Sequence, residues 1–353
     1  MDYQRELEDL FNAVIAEESS DLHFSEGRHP TIRSAGFLIP LVKKDVLKKE
    51  DLTGFTKAIL TPDQQQELVT KKEIDFAYMY DDKARFRGNI FYQQGRISIA
   101  LRLIPRNIRT FAELNLPEAL DMFSRKKQGF FLVVGPTGQG KSTTLASMVE
   151  LINNERLEHI ITIEDPIEYL FEQKKSIIDQ REIKSDTRSF HSALHSVFRQ
   201  DVDVVMIGEM RDPETIGTAV TAAETGHLVF STLHTNSAAQ TIDRIIDSFP
   251  AGQQDQTRLQ LSSSLIGIFS QRLIPRISGG LIPAYELLIS NNAVSNLIRE
   301  RRTHEINTVI ETSSQEGMVD LNRSLSDLVR RGEITVENAY LHTLNQKTLE
   351  RML

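Results

Sequence analysis

Residues 130–142 read Phe130-Phe131-Leu132-Val133-Val134-Gly135-Pro136-Thr137-Gly138-Gln139-Gly140-Lys141-Ser142. The first five are apolar without interruption, as in a strand buried on both faces of a parallel sheet. The next eight fit the spacing G-x-x-x-x-G-K-[ST]. Glycines let backbone N–H groups curl around an anion, and a helix starting near Lys141 adds a favourable field. Lys141 is expected to reach the β- and γ-phosphates of a nucleotide, and Ser142 to bind Mg²⁺. The competing account is a Gly-rich turn that meets the spacing by chance. The strand before it and the helical pattern after it argue against chance.

Working outward, three more apolar runs appear. They are Ile160-Ile161-Thr162-Ile163, Val202-Asp203-Val204-Val205-Met206-Ile207 and Leu228-Val229-Phe230-Ser231-Thr232, with helical stretches between them. Strands alternating with helices predict an α/β fold around a parallel sheet. Ligands of such sheets bind beyond the carboxyl ends of the strands, and a phosphate loop needs an acidic partner there. Two strand ends supply one, Ile163-Glu164-Asp165-Pro166 and Ile207-Gly208-Glu209. Glu209 is assigned to polarising the attacking water and Glu164 to orienting metal or water, although the two roles are interchangeable on sequence alone. Asp165 or Glu209 can instead cap a following helix. His227 precedes the fourth run and His234 follows it. A polar residue just past a strand can sense a γ-phosphate, whereas a histidine satisfied by its own surroundings is the plainer account. Residues 251–353 read as mostly helical.

The first 105 residues have a different pattern. Residues 2–17 form an amphipathic helix, Asp21-Leu22-His23-Phe24 a short strand, and Thr31–Ile39 a hairpin turning at Ser34-Ala35-Gly36. Helices near 50–60 and 62–71 precede alternating strands at 74–80, 84–92 and 96–103. The expected domains are 1–105, a small α+β domain, then a linker at 106–113, then 114–353.

The 353 residues carry a net charge of −8, with 40% hydrophobic residues and no cysteine. Cysteine's absence excludes disulfides and thiolate zinc sites and agrees with a cytoplasmic location. No apolar run is long enough for a transmembrane helix, and the acidic Met1–Glu6 start is not a secretory signal. The acidic balance opposes general nucleic-acid binding. The charge is uneven, since residues 83–112 hold seven basic residues and no acidic ones. Arg85 and Arg87 share a strand face. They are either a solvated sheet face or a source of positive charge for a phosphoryl-transfer transition state.

Together these segments resemble the secretion and pilus ATPase superfamily, and within it the retraction ATPases of bacterial type IV pili. Ser20–Phe24 is similar to the family's SDLH segment. Arg85–Phe91 and Arg102–Pro105 match its arginine-bearing strands, and 135–142 its Walker A loop. Ile163–Tyr169 matches its Asp box, Ile207–Asp212 its atypical Walker B, and Thr225–Asn236 its His box. Ala293-Val294-Ser295-Asn296-Leu297-Ile298-Arg299-Glu300 matches AIRNLIRE at six of eight positions, departing at Val294 and Ser295. Gln139 stands where serine is common, and Val202 where proline is.

The resemblance implies a RecA-like P-loop ATPase domain, its parallel sheet covered by helices on both faces. A PAS-like α+β domain would precede it, and a helical region from about 290 to 353 would end it. It implies ATP and Mg²⁺ as cofactors, with ATP between the domains. Nucleotide contacts would come from Gly135, Pro136, Thr137, Gly138, Gln139, Gly140, Lys141, Ser142, Thr143 and His227. Ser142 and Glu164 would hold the metal, and Glu209, Glu164, Arg85, Arg87, Arg102 and His234 would serve catalysis. It further implies a homohexamer at the cytoplasmic face of the inner membrane, peripheral rather than spanning. The hexamer would act on a platform protein, without nucleic acid or zinc. Rival readings are an accessory paralogue, a pilus-extension or type II secretion ATPase, and a DNA-handling hexamer. Extension enzymes are usually longer and often carry a four-cysteine zinc insertion.

Overall fold

The computed structural model describes residues 2–17, 19–34, 36–81 and 83–353. The expected turn at Ala35 lies outside the described residues. The chain divides into two compact units. One is residues 1–107 with 168–170, the other 108–167 with 171–353.

In the first unit, α1 (Tyr3–Ala16) is followed by β1 (Asp21–Ser25), β2 (Thr31–Ser34) and β3 (Phe37–Pro40). Then come α2 (Lys49–Ile59), α3 (Pro62–Lys71), β4 (Glu73–Tyr80), β5 (Ala84–Gln93) and β6 (Arg96–Ile104). The strands form one antiparallel sheet in the order β3-β2-β1-β6-β5-β4. Asp2 caps α1 at the backbone N–H of Arg5, and Thr61 with Pro62 starts α3, as those residue types favour. Leu7, Leu10, Phe11 and Val14 bury one stripe of α1, where Phe11 stacks on Phe86 of β5 at 4.4 Å.

The second unit opens with α4 (Asp121–Ser124), β7 (Gly129–Val134), α5 (Lys141–Glu155), β8 (His159–Glu164) and β9 (Ile177–Glu182). It continues through α6 (Phe190–Val197), β10 (Val204–Ile207), α7 (Pro213–Glu224), β11 (Leu228–Leu233), α8 (Ala238–Asp247) and α9 (Ala251–Ser264). It ends with β12 (Leu265–Pro275), β13 (Leu281–Ile289), α10 (Asn292–Arg299), α11 (Ile306–Thr312), α12 (Leu321–Arg330), α13 (Val336–His342) and α14 (Gln346–Met352). The seven strands lie in the order β13-β12-β7-β11-β10-β8-β9, all parallel except the edge strand β13.

Every side chain of β7 is buried, because the sheet is covered on both faces. Phe130, Leu132 and Val134 meet α6, α7, α8 and α10, while Phe131 and Val133 meet α4 and α5. Truncating one of the buried phenylalanines to alanine would cost about 3–5 kcal/mol. The α/β architecture agrees with the sequence reading.

Two elements correct it. The stretch 251–353 is mostly helical, as expected, but it also contains the β12–β13 hairpin, closed through the left-handed Gly279 and Gly280. Ser270, Gln271 and Arg272 break the apolar run in β12, and all three make side-chain contacts that a sequence scan cannot anticipate. Strand β9 was also not expected. It is an edge strand with only two apolar residues, Ile177 and Ile178.

Candidate nucleotide site

Strand order brings the candidates together. β7, β11, β10 and β8 are consecutive neighbours, so their carboxyl ends present the 135–141 loop, His234, Glu209 and Glu164 in a row. The loop demands glycine. Gly135 has φ +148°, and a Cβ there would sit 2.4 Å from the Gln271 carbonyl oxygen of β12. Gly140, in the left-handed region at φ +78°, is the N-cap of α5 and has no side chain to occupy the helix's positive end. A polyphosphate fits such a cradle. Gln139 Oε1 accepts the Leu273 backbone N–H at 2.6 Å, a reach to β12 that serine lacks. Thr144, one turn into α5, donates to Gln271 Oε1 at 2.6 Å.

Lys141 is only 7% exposed, and its ammonium donates to the carbonyls of Gly135 and Pro136, each at 2.9 Å. Its Nζ also lies 3.4 Å from His234 Nδ1, which is 3.4 Å from Thr137 Oγ1. On the other edge of the ring, His234 Nε2 is 3.6 Å from Glu209 Oε2. One tautomer satisfies all three contacts, with the lone pair on Nδ1 and the hydrogen on Nε2. His234 thus spans the gap from lysine to glutamate because β11 lies between β7 and β10.

Glu209 also pairs with Arg211, whose guanidinium holds its proton more tightly through that hydrogen bond. The capping alternative for Glu209 fails, since the cap of α7 is Asp212, which accepts from the Thr215 N–H at 2.7 Å. Glu164 is 5% exposed and receives the Thr162 hydroxyl at 2.7 Å and the Gln180 amide at 3.3 Å. It stands one strand beyond Glu209, about three strand spacings or ~14 Å from the phosphate-loop strand. Asp165 is exposed and no helix follows it directly. Among the described residues, no three His, Cys, Asp or Glu side chains gather as a metal cage.

One expectation needs correction. His227 is not beside the loop. It precedes β11 at the sheet's opposite end, seven residues or about 23 Å of strand rise from His234. Its Nδ1 lies 3.0 Å from the Ala222 carbonyl oxygen, and its ring meets Phe198 edge-on. Position after a strand places a side chain at the ligand edge, and position before it does not.

The arginines belong to the first unit. Cross-strand register aligns Arg33, Asp21, Arg102 and Arg87 on β2, β1, β6 and β5. Arg85 follows on the face of Arg87 two residues along. Arg102 Nε donates to Asp21 Oδ1 at 2.8 Å, while the Arg102 side chain stays 67% exposed. Thr162, Gln180, Arg211 and Gln271 were missed by sequence reasoning. For Thr162 there was a signal, a polar residue inside an apolar strand and two places before Glu164, hence on its face.

The family model for type II/IV secretion system proteins matches residues 3–280. A Pseudomonas aeruginosa relative, "Type IV pilus retractation ATPase PilT", is 44% identical over 91% of this chain and 93% of its own. The "Type IV pilus ATPase PilU" of the same organism is 38% identical over 99% of this chain and 91% of its own. The solved structure "Crystal Structure of the Pilus Retraction Motor PilT and Bound ADP" superimposes with a TM-score of 0.91. Its sequence is 43% identical, and the match covers 98% of both chains. Phosphate loop, strand-end acids and these matches agree, and the chain belongs to the type II/IV secretion system protein family, among its PilT-type ATPases.

Proposed function

We propose that the chain is the subunit of a homohexameric motor in which ATP hydrolysis drives type IV pilus retraction. The observation that carries the reading is the line Lys141–His234–Glu209, which joins a phosphate-binding ammonium to a carboxylate through one imidazole. Residues Gly135 to Thr143 wrap the polyphosphate, with Lys141 on its terminal oxygens. Ser142 and Glu164 would hold Mg²⁺, which would supply positive charge to the phosphate oxygens. Glu209 polarises the attacking water. His234, with its Nε2 hydrogen towards Glu209, orients that carboxylate and contacts the γ-phosphate. Arg85, Arg87 and Arg102, on the PAS-like unit, stabilise the charge that develops during transfer. The hexamer works at the cytoplasmic face of the inner membrane on a platform protein. No helix among the described residues is long and apolar enough to cross a membrane.

The test is steady-state ATP hydrolysis by the full chain beside Glu209→Gln. The variant is expected to bind a fluorescent ATP analogue as the wild type does while turnover falls by about 10²–10³. Wild-type turnover in the variant would remove Glu209 from the chemistry. A second reading is an accessory motor of the same family. The readings diverge in a strain that lacks its own retraction ATPase, where an accessory motor alone leaves pili extended.

A further inference from the structure

The β12–β13 hairpin holds the chain just beyond His234, at Asn236 and Ala238. Ser270 of β12 donates its hydroxyl to the Asn236 carbonyl at 3.0 Å. Arg272, two residues along, donates to Asn236 Oδ1 at 3.3 Å. Glu286 of β13, opposite Ser270 in the register, accepts the Ala238 backbone N–H at 2.7 Å. Glu286 is 5% exposed. A carboxylate so buried is expensive, and none of the proposed chemistry uses it directly. The same strand β12 also grips the phosphate loop, through the Leu273 N–H on Gln139, and the helix that follows the loop, through Gln271 on Thr144. One hairpin therefore touches both the phosphate loop and the segment that follows His234.

We propose that Glu286, with Arg272 and Ser270, is a positioning residue for His234, locking the 234–238 segment so that the imidazole stands between Lys141 and Glu209. The proposal rests on the catalytic reading of His234. Glu286 touches neither nucleotide nor water. It anchors the first residue of α8, four places from the imidazole, and Arg272 and Ser270 anchor Asn236, two places from it. A displaced imidazole leaves nucleotide affinity with Lys141 and its loop, and weakens only the step in which Glu209 must be aimed. A shift of about 1 Å in such a group can cost on the order of a hundredfold.

The test is a set of full-length variants, wild type, Glu286→Ala, Glu286→Gln, His234→Ala and the double Glu286→Ala/His234→Ala, compared by kcat and KM for ATP. Glu286→Ala is expected to lower kcat by about tenfold or more with KM within about twofold. Glu286→Gln, whose amide oxygen still accepts from Ala238, is expected to recover most of it. The double variant is expected to be no slower than His234→Ala, because residues that act through one another are not additive. Wild-type kcat in Glu286→Ala, or losses that multiply in the double variant, would overturn the proposal. A wild-type kcat in His234→Ala alone would instead overturn the catalytic reading of that histidine. If Glu286→Ala does not fold, Asn236→Ala decides, since Asn236 is exposed and its loss buries nothing. A lower kcat at unchanged KM supports the proposal, and an unchanged kcat overturns it.

Discussion

His234 is half-exposed, yet its two ring nitrogens face a lysine on one side and a glutamate on the other. Its neighbours make that geometry depend on a residue whose protonation is unusual. Burial pushes the Glu286 carboxyl up from 4.5 to about 7, against the opposing pull of the Ala238 N–H. The folded chain therefore keeps this proton to a higher pH than the unfolded chain does. The stabilisation is fully present below pH 4.5 and is lost as pH rises through about 7. Over that window the change is about 3 kcal/mol. Glu286→Gln carries no titrating group there. Its melting temperature, measured beside wild type across this range, is expected to gain on the wild type as pH rises, and a constant difference would contradict the assignment.

At the scale of elements, the parts that face water or another strand by simple alternation were legible. The continuous apolar run of β7 and the glycine spacing after it announced a buried strand and a phosphate loop, because sterics and periodicity act locally. The acids Glu164 and Glu209 were legible for the same reason, lying where apolar runs stop. The β12–β13 hairpin was not, since Ser270-Gln271-Arg272 interrupts its apolar pattern to serve partners more than thirty positions away. His227 misled because sequence proximity to a strand does not say which end of the sheet it occupies. Strand register also sharpens the basic stretch. Asp21 binds Arg102, whereas Arg87 stands exposed beside it in the row. Arg87→Ala is expected to lower ATP turnover by about tenfold with a smaller effect on affinity. Unchanged turnover would return the row to a solvated sheet face.

At the scale of the whole molecule, the account joins a nucleotide site to work. The β12–β13 hairpin that touches the phosphate loop also carries Ile274, Ile282 and Ala284, against which Leu321, Leu325 and Leu328 of α12 pack. Strand β12 thus contacts both the phosphate loop and the C-terminal helices. In α10, Ser295 donates to the Ser262 carbonyl at 2.8 Å, and Val294, Leu297 and Ile298 fill the core. The departure from the retraction motif therefore leaves that helix docked. The most direct test supplies the chain, alone, to a strain that has no retraction ATPase of its own and records pilus retraction. The account predicts that the wild-type chain, running near six times 40.1 kDa, or about 240 kDa, restores retraction and that Glu209→Gln does not. A hexameric wild-type chain that hydrolyses ATP and leaves every pilus extended would contradict it.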